Sequence, residues 1–136
     1  MGIRSDLVSE FDFEIVDEFL DHYSIMMDRL EVLIIDLEKP DMYERSLNEL
    51  FRVFHNIKSA SGFLKIEQMN RLSAFVEEVL EELRHIKNPV NDDVITWLLN
   101  ISDMFNAWND DMQNDNELSH VKYFLLKTPD LEQYNK

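Results

Sequence analysis

Residues 51 to 62 read Phe-Arg-Val-Phe-His-Asn-Ile-Lys-Ser-Ala-Ser-Gly, and within them His55 is the residue best placed for chemistry. Imidazole has an ordinary pKa near neutrality, so its neutral form is a nucleophile under physiological conditions. One ring nitrogen attacks. The other needs an acceptor that fixes the tautomer and raises basicity, as acceptors do for metal-bound histidines. Lys58 follows one helical turn later on the same face and can meet phosphate oxygens as a point charge. Ser59, Ala60, Ser61 and Gly62 are small and leave the neighbouring surface open to a large partner.

Charge singles out the same stretch. The chain carries a net charge of -15. Between Phe51 and Arg71 lie Arg52, Lys58, Lys65 and Arg71 against Glu67 alone, which is +3 and leaves -18 elsewhere. A basic patch around one histidine on an acidic protein fits docking to an anionic group or an acidic pocket. Chance clustering of four cations is the other reading. The acidity argues against nucleic acid and anionic membrane surfaces as partners.

These residues need a scaffold. At 136 residues the chain has the size of one domain. Two glycines and three prolines leave little turn chemistry for a sheet, so long helices are expected. There is no cysteine, hence no disulfide and no cysteine-based zinc site. The polar first residues and the lack of a run of about 20 apolar residues point to a cytoplasmic chain without a membrane span.

The spacing predicts a helix from about Asp12 to Glu38, with Val16, Phe19, Tyr23, Met26, Leu30, Leu33 and Leu37 on one stripe and a stop at Pro40. A second helix carries Leu47, Leu50, Phe54, Ile57 and Ser61 and is expected to end at Gly62. A third carries Met69, Leu72, Val76, Val79, Leu83 and Ile86. Pro89 and Asn91 mark a turn and an N-cap. A fourth carries Val94, Leu98, Ile101, Phe105, Trp108 and Met112. Four such seams with short connections predict an all-α, antiparallel up-down four-helix bundle. A short fifth helix is expected over Leu118 to Leu126, with a frayed tail after Pro129. The chain reads as a single helical domain over residues 1–136, with a core over about 12–112.

In this scheme His55 lies beside the second helix's seam, in a row with Phe51, Lys58 and Gly62. The connection to the third helix centres near Lys65 or Ile66. The midpoint of 55 and 77 is 66, so Glu77 comes level with His55 and is a candidate acceptor. The other reading makes it one more solvated acid beside Glu78, Glu81 and Glu82.

The run His55-x-x-Lys58-Ser59-x-Ser61-Gly62-Phe63-Leu64, preceded by Leu50-Phe51-Arg52, resembles the motif of histidine-containing phosphotransfer (HPt) domains, those of chemotaxis histidine kinases above all. The acidic first helix, the Leu-Glu-Lys-Pro-Asp junction at 37 to 41 and Glu77 followed by Leu80 are also similar. The resemblance covers about Asp12 to Met112. It implies that His55 is the phosphoacceptor, Glu77 its hydrogen-bonded partner and Lys58 the residue near the phosphoryl group. Phe51, Arg52, Phe54, Ser59, Gly62, Phe63 and Lys65 are assigned to docking. Two departures stand out: Ser59 replaces the glycine that usually follows the lysine, and Ala74 replaces a second histidine.

The expected partners are a sensor histidine kinase, a response-regulator receiver domain, or both, met by a monomeric phosphocarrier without a nucleotide site. ATP and magnesium belong to those partners, and no cofactor is expected here. The chain could be free-standing or a fragment of a larger kinase. A helical interaction module without a reactive histidine is the rival reading. Glu82 with His85, and Glu117 with His120, have the Glu-x-x-His spacing of di-iron bundles but lie off the core seams. No metal is expected, and His22, His85 and His120 are read as surface or packing residues.

Overall fold

The computed structural model describes residues 2–86 and 90–129. Pro89 and the tail after Pro129 thus lie outside the described residues. The chain is helical: α1 (Ile3–Glu10), α2 (Phe13–Asp36), α3 (Tyr43–Phe63), α4 (Glu67–Leu83) and α5 (Asp92–Gln113), then one 3-10 turn (Tyr123–Leu126). No helix among the described residues is long and apolar enough to cross a membrane.

The four long helices form the bundle that the apolar periodicity predicts. α2 packs against α3 and α5, and α3 packs against α4. Along α2, α3 and α5 every seam residue named above is buried, and so are those of α4 up to Leu83. Ile86 is half-buried and falls beyond the end of α4. Aromatic rings bind the layers together. Phe54 of α3 meets Phe105 of α5 edge-on at 5.1 Å, and Phe105 meets Trp108 at 5.0 Å. The buried Tyr23 hydroxyl of α2 donates to the Phe105 carbonyl at 2.7 Å. α4 and α5 are bridged by Phe75 and Trp97, whose ring centroids are 6.1 Å apart. Asn91 caps α5 by accepting from the Val94 amide at 2.8 Å.

The second predicted helix does not end at Gly62. α3 runs to Phe63 and closes in a Schellman turn, with the Ile66 amide donating to Ser61 and the Lys65 amide to Gly62. The left-handed position of that turn is Lys65, at φ 60°. Gly62 is small for another reason: a Cβ there would sit 3.1 Å from Asn70 Nδ2.

Two ends of the chain differ from expectation. The fifth helix expected over Leu118 to Leu126 shrinks to the 3-10 turn, and two indoles anchor that segment to α5. Trp108 Nε1 donates to the Ser119 carbonyl at 2.8 Å and Trp97 Nε1 to the Leu125 carbonyl at 2.9 Å. At the other end the sequence gives no sign of α1, which buries only Leu7. Its N-terminus is held from a distance. Asp115, at φ 53° after α5, accepts from the Ser5 amide at 2.9 Å and from the Ser5 hydroxyl. Those hydrogen bonds hold its carboxyl below the usual range. Gly2 passes so close to Asp115 that a Cβ would overlap the Asp115 carbonyl.

Candidate functional site

α3 is pinned by what it buries. Leu50, Val53, Phe54 and Ile57 face the core, so the next row outward emerges at the bundle's edge. That row presents His55, whose side chain is 53% exposed, and Lys58, at 34%. α4 runs antiparallel alongside and brings Glu77, only 15% exposed, to the same level. His55 Nδ1 lies 3.4 Å from Glu77 Oε2. Lys58 Nζ donates to Glu77 Oε1 at 3.1 Å and lies 3.0 Å from Oε2. Glu77 Oε2 is therefore buried between two nitrogens, yet neither gives it an aligned hydrogen bond. Ala74, one turn earlier on α4 and half-buried, has no polar side-chain atom to supply one.

The carboxylate lies beside Nδ1 of the half-exposed ring. The same carboxylate restrains Lys58 within reach of the imidazole. Of the residues assigned to docking, Arg52, Ser59, Gly62, Phe63 and Lys65 are exposed and Phe51 is half-buried. Phe63 is 61% exposed and its ring sits 5.6 Å from that of Phe11, at the α1–α2 junction. Phe54 is the exception. It is fully buried against Phe105 and cannot meet a partner, because it belongs to the α3 core seam.

Two further residues belong to the site and escaped the sequence reading. Asn70 of α4 donates from Nδ2 to the Lys58 carbonyl at 2.8 Å, tying α4 to the α3 backbone one turn from His55. Arg84, at the C-cap of α4, lies over the Phe51 ring at 4.6 Å, and the Phe51 ring is parallel to that of His55 within 8°. The mirror about residue 66 that places Glu77 against His55 also places Asn70 against Gly62, so Asn70 was legible. Arg84 is offset by three residues from the mirror image of Phe51 and gives no comparable signal. His22, His85 and His120 are all exposed. Among the described residues no three His, Asp or Glu side chains gather closely enough to hold a metal.

The family model described as Hpt domain matches residues 14–115. The chain belongs to the Hpt domain family. Curated relatives agree. A chemotaxis protein CheA of Borreliella burgdorferi is 28% identical over 91 residues, 67% of this chain and 10% of that protein. A sensor histidine kinase CheAY of Helicobacter pylori is 30% identical over 91 residues, 67% of this chain and 11% of that protein. A chemotaxis protein CheA of Salmonella typhimurium is 26% identical over 106 residues, 71% of this chain and 16% of that protein. The chain thus spans only 10 to 16% of the length of these relatives. No solved structure matches it. An Hpt domain is a helical histidine phosphotransfer module of two-component signalling, a phosphocarrier and not a kinase catalytic domain.

Proposed function

We propose that His55 of this Hpt domain accepts a phosphoryl group on Nε2 and relays it to or from an aspartate of a response-regulator receiver domain. The observation that supports this most is the Glu77 carboxylate beside Nδ1 of a half-exposed imidazole. With the Nδ1 proton directed at Glu77, the Nε2 lone pair faces outward. It attacks phosphorus, the phosphorus–oxygen bond to the donor breaks, and the donor oxygen leaves with the bonding electrons. In the reverse direction a receiver carboxylate attacks phosphorus and the phosphorus–nitrogen bond breaks, returning the electron pair to Nε2. A sensor kinase with ATP, or a phosphorylated receiver, is the donor. Nucleotide and magnesium stay with the partners.

Lys58 has two roles in this scheme. At rest it neutralises Glu77. Once Nε2 carries a phosphoryl group, the flexible lysine stem lets the ammonium turn toward its oxygens. Phe51, Arg52, Phe63 and Lys65, with the small surface at Ser59 and Gly62, form the docking face. The test is phosphorylation by a cognate kinase and ATP, read as acid-labile, base-stable phosphate. His55→Gln should abolish it with helicity unchanged. Full labelling of that variant, or label on His22, His85 or His120, refutes the assignment.

A further inference from the structure

We infer that Phe51, braced by Arg84, is a positioning residue that sets the plane of the His55 ring, a role separate from docking. The inference rests on His55 being the phosphoacceptor. Glu77 alone holds the ring poorly. Its contact with Nδ1 is 3.4 Å, longer than the 2.7–3.2 Å of an ordinary N–H···O bond. One long contact leaves rotation about the bond to the ring loosely restrained, since such torsions have broad wells. A plane needs a second support.

Phe51 supplies it. Side chains on a helix lean back toward the N-terminus, so His55 leans over the turn that carries Phe51, four residues earlier. The two rings are parallel within 8°, with centroids 6.3 Å apart. This is an offset stack, in which a tilt of either ring loses contact. Phe51 is itself held. The Arg84 guanidinium lies 4.6 Å from its centroid, within cation–π range. Arg84 is fixed by donating from Nη2 to Asn48 at 3.1 Å and from Nη1 to Glu81 at 3.0 Å. Support therefore passes from α4 through Arg84 and Phe51 to the face of the imidazole, whereas Glu77 approaches its Nδ1 atom. Two fixed points define where Nε2 aims.

Phosphoramidate separates positioning from docking, because this small donor phosphorylates imidazole directly and releases ammonia. The variants are Phe51→Leu, which keeps apolar bulk without a plane, Phe51→Tyr, which keeps the plane, and Arg84→Ala. Phe51→Leu should slow labelling by phosphoramidate about two- to tenfold, the range of an aromatic contact. Phe51→Tyr should match the wild type and Arg84→Ala should fall between. Ring order at His55 in the unphosphorylated protein, measured by NMR relaxation of the imidazole carbons, should drop in the same sequence. Wild-type phosphoramidate rates and ring order in Phe51→Leu, with transfer to a receiver impaired, would make Phe51 a docking residue only and overturn the inference. If Phe51→Leu fails to fold, Arg84→Ala decides, and unchanged ring order there overturns it too. Labelling of His55→Gln by a kinase would instead sink the phosphoacceptor assignment. The ring-order measurement stands apart from that result.

Discussion

Lys65 does two things that a glycine substitution pulls apart. It occupies the left-handed position of the α3 C-terminal turn at φ 60°, and it puts an exposed positive charge on the face proposed for docking. A residue with a Cβ in that conformation costs about 1–2 kcal/mol. Glycine removes the strain but brings about 0.5–1 kcal/mol of extra unfolded-state entropy. Lys65→Gly should therefore stabilise the fold by about 0.5–1 kcal/mol, or about 2–4 °C in Tm for a domain of this size. No charge interaction opposes the gain, since Lys65 makes no ion pair among the described residues. Lys65→Ala is the control: it deletes the same charge and keeps the strain, so its stability should match the wild type. Urea unfolding reads this as a higher midpoint for glycine alone, at an unchanged slope. Binding to a receiver should separate the variants differently. Both should lose association rate equally, and the loss should shrink as salt rises, because exposed charges are screened. Equal stability of the glycine and alanine variants would refute the backbone argument. Unchanged affinity at low salt would remove Lys65 from the docking face.

Glu77→Gln leaves one acceptor oxygen for two donors, Lys58 and His55, so phosphate acceptance should fall on the order of tenfold to a hundredfold. Stability should change by only about 1 kcal/mol, because Lys58 is a third exposed; an unaltered labelling time course would make Glu77 a bystander. Phe54→Ala should cost about 3–5 kcal/mol in urea unfolding, whereas Phe63→Ala should cost only about 1 kcal/mol, through its ring contact with Phe11, and weaken receiver binding. The Asp115 carboxyl is depressed below its ordinary value of 3.8 by hydrogen bonds from Ser5, so its hold on α1 is complete above that value and is lost as pH falls through the depressed one. Hydrogen exchange should show α1 amides losing protection in that acidic window ahead of the bundle, and Asp115→Asn should remove the step.

Apolar spacing made the bundle legible, because burial is what the spacing encodes. Every helix whose stripe extends over several turns was found, with its ends displaced by a few residues where turn geometry intervened. Gly62 shows why: its small size serves Asn70 across the helix pair, while the left-handed turn falls on a lysine. α1 was missed because a helix with one buried side chain has no stripe, and its cap comes from a residue far along the chain. The C-terminal segment misled in the opposite way. Leu118, Val121 and Leu125 fit a helical spacing, but the Trp108 indole takes the Ser119 carbonyl that a helix would offer to Tyr123, while the Trp97 indole anchors the Leu125 carbonyl. At the site, antiparallel symmetry reached Glu77. Phe54 was assigned to docking although it sits on the very seam that buries α3.

Geometry also changes what the charge count means. Sequence gives four cations between Phe51 and Arg71, but they are not equally available. Lys58 already neutralises Glu77, so it offers little net field to an approaching partner. Arg71 stands 4.0 Å from Glu67, both largely exposed, a pairing that screens weakly. Arg52 and Lys65 make no ion pair among the described residues. Arg52 stands on α3 three residues before His55 and Lys65 in the turn that closes α3, ten residues after it, so the two exposed cations lie to either side of His55 in the chain. In the proposed docking, steering over distance would therefore fall to Arg52 and Lys65. In the same proposal Lys58 would enter only at contact, when a phosphoryl group with more charge than Glu77 competes for it. The sequence of events follows from which cations are paired, and a count of charges cannot contain it.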